Sequence, residues 1–287
     1  MRKQYENALR IELTKTGVAV VRTSGWWQTH SEVLVEWVGS EAECAAPETV
    51  INQLSVLLKE LDCARMPASI VLPDSWVRRW MVVPPQNAAS LADCQAAARV
   101  RFQVLFGEAL TDWHLAADWD ARQPFLAYAI PHSLWAALLH VATERRLVLL
   151  EITPHFVAAW NIWRKQLQAG VWFGVMQHKV LTYAVLGQQG VQFVREVVLP
   201  DEALRDQHRV AEILAREALR LNVPMPLEIR LCGQIPMHWV MSEHCEMREI
   251  AKLVFVNLDQ HLPAHHAQPA AASVSTLASL ASTGRTP

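Results

Sequence analysis

One pattern occurs twice in this chain of 287 residues, and it narrows the folds open to it. Residues Leu9–Trp37 read as a β-hairpin and a third strand, followed by an amphipathic helix. Residues Val171–Leu199 read the same way and again precede a helix. The first hairpin turns at Thr14-Lys15-Thr16-Gly17 and the second at Met176-Gln177-His178-Lys179. Two copies of strand–strand–strand–helix imply two α/β units sharing one plan. The length accommodates two domains of ordinary size.

The remaining segments fit between and after these copies. Pro47 stands where a first helical residue would, and Val50, Leu54, Leu57, Leu58 and Leu61 follow at helical spacing. Ser69–Leu72 reads as a buried strand. Residues 73–130 read as an inserted module: a strand over Trp76–Val83, a helix, then strands over Trp113–Trp119 and Phe125–Ile130. Ser90-Leu91-Ala92-Asp93 has capping-box spacing. The helix it opens carries Leu91, Ala98, Phe102 and Leu105 on one predicted face and ends at Gly107. A helix over Ser133–Arg146 and a strand over Leu147–Ile152 follow. Phe156, Trp160, Trp163 and Leu167 then form a stripe at spacings of four, three and four. The second copy continues with a helix over Asp206–Leu221 and strands at Leu227–Leu231 and Leu253–Val256. The expected division is 1–168, with the module at about 73–130, then 169–262, then a disordered Ala/Ser/Thr/Pro-rich tail at 263–287.

Charge and cysteine usage exclude several classes. The formal net charge is −2, from 26 basic and 28 acidic residues, which leaves no electrostatic footprint for nucleic acid. The pairs Arg78/Arg79 and Arg145/Arg146 read as solvated positions. Five cysteines without a C-x-x-C pair point to a reducing compartment rather than a disulfide framework. The polar N-terminus lacks the apolar core of a signal peptide. No apolar run approaches the ~20 residues of a membrane span, so a membrane role is expected to run through a partner.

Short words within this order resemble a known family. Ser69-Ile70-Val71-Leu72-Pro73-Asp74-Ser75-Trp76-Val77-Arg78, Val82-Val83-Pro84, Val194-Arg195-Glu196-Val197-Val198-Leu199 and Arg230-Leu231-Cys232-Gly233 resemble segments of the PilM/GspL branch of the actin-like ATPase superfamily. The resemblance covers most of residues 8–256. It implies two ribonuclease-H-like (actin-like ATPase) domains with a strand-helix-strand-strand module in the first. It also implies a cytoplasmic component of a type IV pilus or type II secretion assembly platform, peripheral to the inner membrane. The implied partner is the cytosolic tail of a single-span inner-membrane protein of the PilN type, docked as an extended segment in a groove of the first domain. Self-association through the module is a further implied contact.

In that superfamily Asp-x-Gly-Ser/Thr turns face each other and hold ATP, the Gly admitting phosphate to backbone N–H groups and the Asp serving the metal. This sequence departs from both turns. The first keeps Lys15, Thr16 and Gly17 without a carboxylate; the second has neither Gly nor carboxylate; Cys232-Gly233-Gln234 keeps one Gly, Gly233, of an adenosine-side pair. Those four residues are what remains of a nucleotide cleft, set against the plain reading of an ordinary hairpin. Asp74 and Asp118 belong to the inserted block and are read as poorly placed to replace the missing acids. A pseudo-ATPase without a cofactor is therefore expected, with an ATP-using actin-like or sugar-kinase-like enzyme, or an unrelated α/β regulatory module, as alternatives.

Other candidates carry less. His244, Cys245, His261, His265 and His266 match no zinc spacing, so no metal is expected. Cys232 reads as a structural thiol. His178 in the second turn could contact an anion, or be an exposed turn residue without a role. Trp26 and Trp27 sit together at a loop tip and are candidates for partner binding, against packing on the module.

Overall fold

The computed structural model describes residues 7–24, 30–44, 46–86, 88, 90–188, 190–241 and 253–261. Its strands form two five-stranded sheets and a three-stranded one. The first sheet uses β1 (Asn7–Leu13), β2 (Gly17–Ser24), β3 (His30–Val38), β4 (Pro67–Leu72) and β8 (Val148–Pro154) in the order β3-β2-β1-β4-β8. The second uses β9 (Trp172–Gln177), β10 (Val180–Gly187), β11 (Gly190–Val198), β12 (Glu228–Gly233) and β13 (Val254–Asn257) in the order β11-β10-β9-β12-β13. Both sheets are one plan: an antiparallel meander whose first strand lies at the centre, extended by two parallel strands.

A central strand is covered on both faces, so its alternation does not divide core from solvent. Leu9, Ile11 and Leu13 of β1 face α1 (Pro47–Lys59) and α3 (His132–Glu144), which lie side by side on one face of the first sheet. The α1 helix starts on Pro47, whose missing N–H costs nothing there, and buries Val50, Ile51, Leu54, Leu57 and Leu58. The second sheet is covered on one face by α6 (Gln207–Leu221) through Val210, Leu214 and Ala218. The helix expected over Asp206–Leu221 is preceded by a separate short helix, α5 (Asp201–Arg205), because the Asp206 side chain leaves the helical path and caps α6 through His208 N. A last short helix, α7, covers Met237–Met241.

Between the two sheets lies α4 (His155–Trp163). Its stripe does not complete the first core. Phe156 and Trp163 instead join Phe173, Val175, Ala184 and Leu186 of the second sheet, with the Phe156 and Phe173 rings 5.7 Å apart. Burying these large apolar side chains, at roughly 2 kcal/mol each, is what joins the two halves.

The module inserted after β4 contains β5 (Arg78–Val82), α2 (Leu91–Phe106), β6 (Trp113–Ala117) and β7 (Phe125–Pro131), with sheet order β5-β7-β6. The capping box at Ser90/Asp93 is formed, and Gly107 ends the helix at φ 69°. The buried face is Cys94, Ala98 and Phe102, with Trp80 and Phe102 5.0 Å apart. Leu91 and Leu105, expected on this face, are exposed. A helix of this length spans about 24 Å, and a three-stranded sheet is too small to cover it end to end. The strand expected from Trp76 begins at Arg78, because Asp74–Trp76 form a 3-10 turn.

Arg79 is not the solvated residue expected from its charge. Its side chain is 8% exposed, with Nη1 2.6 Å from Asp74 Oδ1 and Nη2 2.9 Å from Glu196 Oε2 on β11. One guanidinium thus ties the module to both halves. Arg145 is likewise mostly covered and pairs with Glu144 at 2.8 Å.

Candidate functional site: the cleft between the two first turns

The turn after β1 and the turn after β9 lie at equivalent points of the two sheets, and they face each other. Lys15 of the first turn and Glu41 beyond β3 both act electrostatically on His178 of the second. Desolvation by the surrounding protein pulls the His178 pKa down, Glu41 opposes this, and Lys15 reinforces it. The imidazole still reaches solvent.

Backbone groups of both turns are bonded within the protein. Thr14 N–H donates to Gly17 O at 2.9 Å, and Thr16 N–H donates to Thr14 Oγ1 at 3.3 Å. Thr16 O accepts from Gly39 N–H at 2.8 Å. Gly17 is not in the left-handed region. In the second turn His178 holds φ 52°, and its N–H donates to Gln234 Oε1 at 2.7 Å. The Thr14, Thr16 and His178 N–H groups, which could otherwise face a phosphate, are thus engaged within the protein.

Gly233 serves the junction of strands. It holds φ 93°, and a Cβ there would lie 2.4 Å from Met176 O. The close approach lets Gln234 N–H donate to that carbonyl at 2.9 Å. Gly233 N–H donates to Asp259 Oδ2 at 2.8 Å, and burial pushes the Asp259 pKa up against that bond.

Beneath the turns is a cavity of about 50 Å³ whose polar lining includes Arg10, Glu12, His155, Gln177, Gln234 and Asp259. A space of this size holds a few water molecules. Arg10 Nε lies 2.7 Å from Glu12 Oε1, and Glu12 is 1% exposed. Glu12 Oε2 and His155 Nε2 are buried without a protein hydrogen-bond partner. Burial holds His155 below the ordinary imidazole range; Glu12 and Asp74 oppose this and Arg10 adds to it. An acid therefore exists at the cleft, but it is neutralised by the arginine two residues before it. The sequence reading missed Arg10, Glu12, His155 and Asp259. The usable signal for Glu12 was topological: a meander that continues into parallel strands puts β1 at the centre, so its polar face has to be buried.

Asp74 has a structural part. It sits beside the cleft, close enough to act on both His155 and Cys232. Both its oxygens accept from Phe156 N–H, at 3.1 and 3.2 Å, so it caps the N-terminus of α4 and holds Arg79. Its lone pairs are engaged in structure rather than directed at the cleft. Cys232 is buried, its thiol pushed well up by desolvation and by Asp259 and Asp74. Trp26, Trp27, His244, Cys245, His265, His266 and the tail 263–287 lie outside the described residues. Among the described residues no group of three His, Cys, Asp or Glu could hold a metal ion, and no helix is long and apolar enough to cross a membrane. Cys44, Cys63, Cys94 and Cys232 are free thiols.

No family model matches the sequence. No curated protein matches it either. Solved structures do match, over nearly the whole chain. A Bacteroides thetaiotaomicron protein described as having an actin-like ATPase fold and unknown function superposes with a TM-score of 0.60 at 10% identity, over 88% of this chain and 90% of that one. The fold is the actin-like ATPase fold. Two further matches cover nearly all of both chains. One is a chain of a PilM-PilN type IV pilus biogenesis complex, with TM-score 0.58 and 14% identity over 99% of this chain and 100% of that one. The other is the cytoplasmic domain of EpsL, an inner-membrane component of the Vibrio cholerae type II secretion system, with TM-score 0.56 and 9% identity over 98% and 96%.

Proposed function

We propose that this chain is a non-catalytic, actin-like scaffold of a pilus or secretion assembly platform, held at the cytoplasmic face of the inner membrane by a partner. The reading rests first on correspondence over nearly the whole chain, module included, with chains that a PilM-PilN complex and a type II secretion component contain. The internally bonded turns support the loss of nucleotide chemistry. The partner is the cytosolic tail of a PilN-type membrane protein. A docking place consistent with an extended tail is the edge of β6, which among the described residues pairs with β7 alone. It opens on a groove of about 530 Å³ walled by Gln95, Arg99 and Gln103 of α2 and by Trp113, His114 and Leu115 of β6. A tail added there would complete the edge's backbone hydrogen bonds.

The test has two arms. Mg-ATP is titrated against the folded protein by tryptophan fluorescence and calorimetry. No saturable binding is expected. Micromolar binding lost in Lys15→Ala would instead establish the nucleotide-binding alternative through Lys15, Thr16, Gly17 and Gly233. In the second arm a synthetic PilN-type tail peptide is titrated. Binding abolished by Gln103→Trp, which fills the groove, is the expected result; binding indifferent to it would remove the tail from this edge.

A further inference from the structure

The cavity beneath the turns lies where the two halves meet. Arg10 and Glu12 reach it from β1, His155 from the start of α4, and Gln177, Gln234 and Asp259 from the second half. Two of these residues hold a buried side-chain atom without a partner in the protein, Glu12 Oε2 and His155 Nε2. Buried polar atoms are bonded as a rule, so two such atoms on one enclosed polar space point to a shared occupant. The charges around the space select it. A cation would meet Arg10, and an anion would meet Glu12 and Asp259. Among the described residues no three His, Cys, Asp or Glu are grouped to hold a metal. The occupant is therefore neutral, small enough for about 50 Å³, and able to bond a carboxylate oxygen and a ring nitrogen at once. Water meets each requirement. It donates to Glu12 Oε2 and either donates to His155 Nε2 or accepts from it, so it suits both tautomers of the ring. The bridge fastens the start of α4 to β1, and α4 is the element whose Phe156 and Trp163 hold the second sheet.

The bridge suits an uncharged ring. Around His155 stand Arg10 and Glu12 of β1, Asp74 of the turn after β4, Cys232 of β12 and Asp259 beyond β13, while α4 itself adds the apolar Ala159, Ile162 and Trp163. Glu12 and Asp74 are each already paired with an arginine, and the Asp259 carboxyl, pushed up by burial, itself gains a proton on acidification. A proton on His155 adds a charge without a counter-ion of its own, and solvent has to enter to hydrate it. We propose that water in this cavity joins Glu12 to His155, and that acid, by charging His155, opens the joint between α4, β1 and β12. The proposal rests on neither the nucleotide nor the tail. Burial holds the native His155 pKa low, so the closed joint binds fewer protons than the open one below about pH 6.5. Its closure is unaffected above that pH and weakens by up to about tenfold per pH unit as the pH falls toward the native value. Asp259, raised by burial, acts in the opposite sense, between its own native pKa and about 3.9.

Three buried thiols report on the opening separately. Cys232 lines the cavity, Cys63 lies in the first-sheet core and Cys94 in the module core. The full chain is labelled with a pyridyl disulfide from about pH 7.5 to about pH 5.5, across the ordinary imidazole range. Each rate is divided by that of the same cysteine in the urea-unfolded chain at the same pH, and peptide mass spectrometry separates the sites. Cys232 labelling is expected to rise by up to about tenfold from about pH 6.5 to about pH 5.5, with Cys63 and Cys94 unchanged. His155→Gln cannot be charged but can still bond water, so the rise should vanish there; thermal unfolding checks that this variant is folded. A flat Cys232 profile in wild type overturns the acid opening, as does a rise that folded His155→Gln retains. Three thiols rising together would mean global unfolding and overturn it too. A crystal structure of the wild-type chain needs no variant. A water within about 3.2 Å of both Glu12 Oε2 and His155 Nε2 is expected. A direct Glu12–His155 bond, or a side chain filling the space, overturns the bridge.

Discussion

The two five-stranded sheets solve the same problem with opposite polarity. In each, the ends of the fourth and fifth strands of the plan, which are parallel neighbours, are tied to each other just beyond the sheet. In the first sheet Asp74, two residues past β4, accepts with its carboxylate from Phe156 N–H, two residues past β8. In the second, Gly233 closes β12 and donates its N–H to the carboxylate of Asp259, two residues past β13. Donor and acceptor have changed places while the bridge has stayed. The architecture fixes that a bond must join these two points; it does not fix which strand supplies the charge. The first tie also carries Arg79 and through it the module, whereas the second relies on a glycine backbone pressed against Met176 O.

Breaking the first tie should cost most. Asp74→Ala uncaps α4 and leaves Arg79 covered and short of its closest partner, a loss of about 3–5 kcal/mol. Urea unfolding measures it. An Asp74→Ala protein within 1 kcal/mol of wild type, a bound taken from the roughly 0–1 kcal/mol of surface pairs, would show that the carboxylate tie is ornamental and that Glu196 and the backbone carbonyl of residue 74 suffice to hold Arg79. The matching change in the second sheet, Gly233→Ala, puts an L side chain at φ 93° with its Cβ 2.4 Å from a carbonyl oxygen. The expected loss is about 2–3 kcal/mol, smaller because no charge is orphaned. If Gly233→Ala proved the costlier, the second junction would be the more rigid and the ranking of the two halves would invert.

The repeat itself was legible in the sequence because a meander writes itself locally: β-branched alternation, a short turn, then a helix at period 3.6. The module was legible for the same reason, through Ser90/Asp93 and Gly107. The ties were not. Asp74 finds Phe156 at a separation of 82 residues, and nothing near it in sequence marks it as a cap. Arg79 reads as a surface residue because charge alone predicts exposure; only its pairing with Asp74 of the preceding 3-10 turn and with Glu196 of β11 permits its burial. Asp259 lies in a short polar run without a local signature. Mapping one copy of the repeat onto the other would have exposed it, since it occupies the slot that Phe156 fills in the first copy. Glu12 was hidden by the habit of assigning the polar face of an alternating strand to solvent.

The helical layers differ in the same sense as the junctions, and a smaller effect tests them. The buried face of α1 is wholly apolar. The equivalent layer on the second sheet contains Glu217 of α6, 4% exposed, which accepts from Tyr183 O–H at 2.7 Å and from Arg220 at 2.8 Å. Tyr183→Phe removes one bond and leaves the other, so a loss of about 1 kcal/mol is expected. A much larger loss would mean that Glu217 depends on the phenol alone for its burial.

The smallest effect bears on whether the two first turns form one electrostatic site. The His178 pKa lies below its ordinary value, chiefly by desolvation, with Glu41 opposing and Lys15 reinforcing. A histidine with a depressed native pKa binds fewer protons than the unfolded chain below about pH 6.5, so its contribution is intact above that pH and stability falls on acidification through it. The exposure of the ring keeps that contribution small. The informative readout is the titration of the His178 ring by NMR. Lys15→Ala should raise the His178 pKa toward the ordinary value, and Glu41→Gln should lower it further, with no change in fold. Lys15 and His178 lie on different sheets, 163 positions apart by their numbers in the chain, so a coupled shift is evidence of apposition rather than of local sequence. Independence of the two titrations would mean that the turns do not face each other in solution, and the cleft would then no longer be the place where the two halves meet.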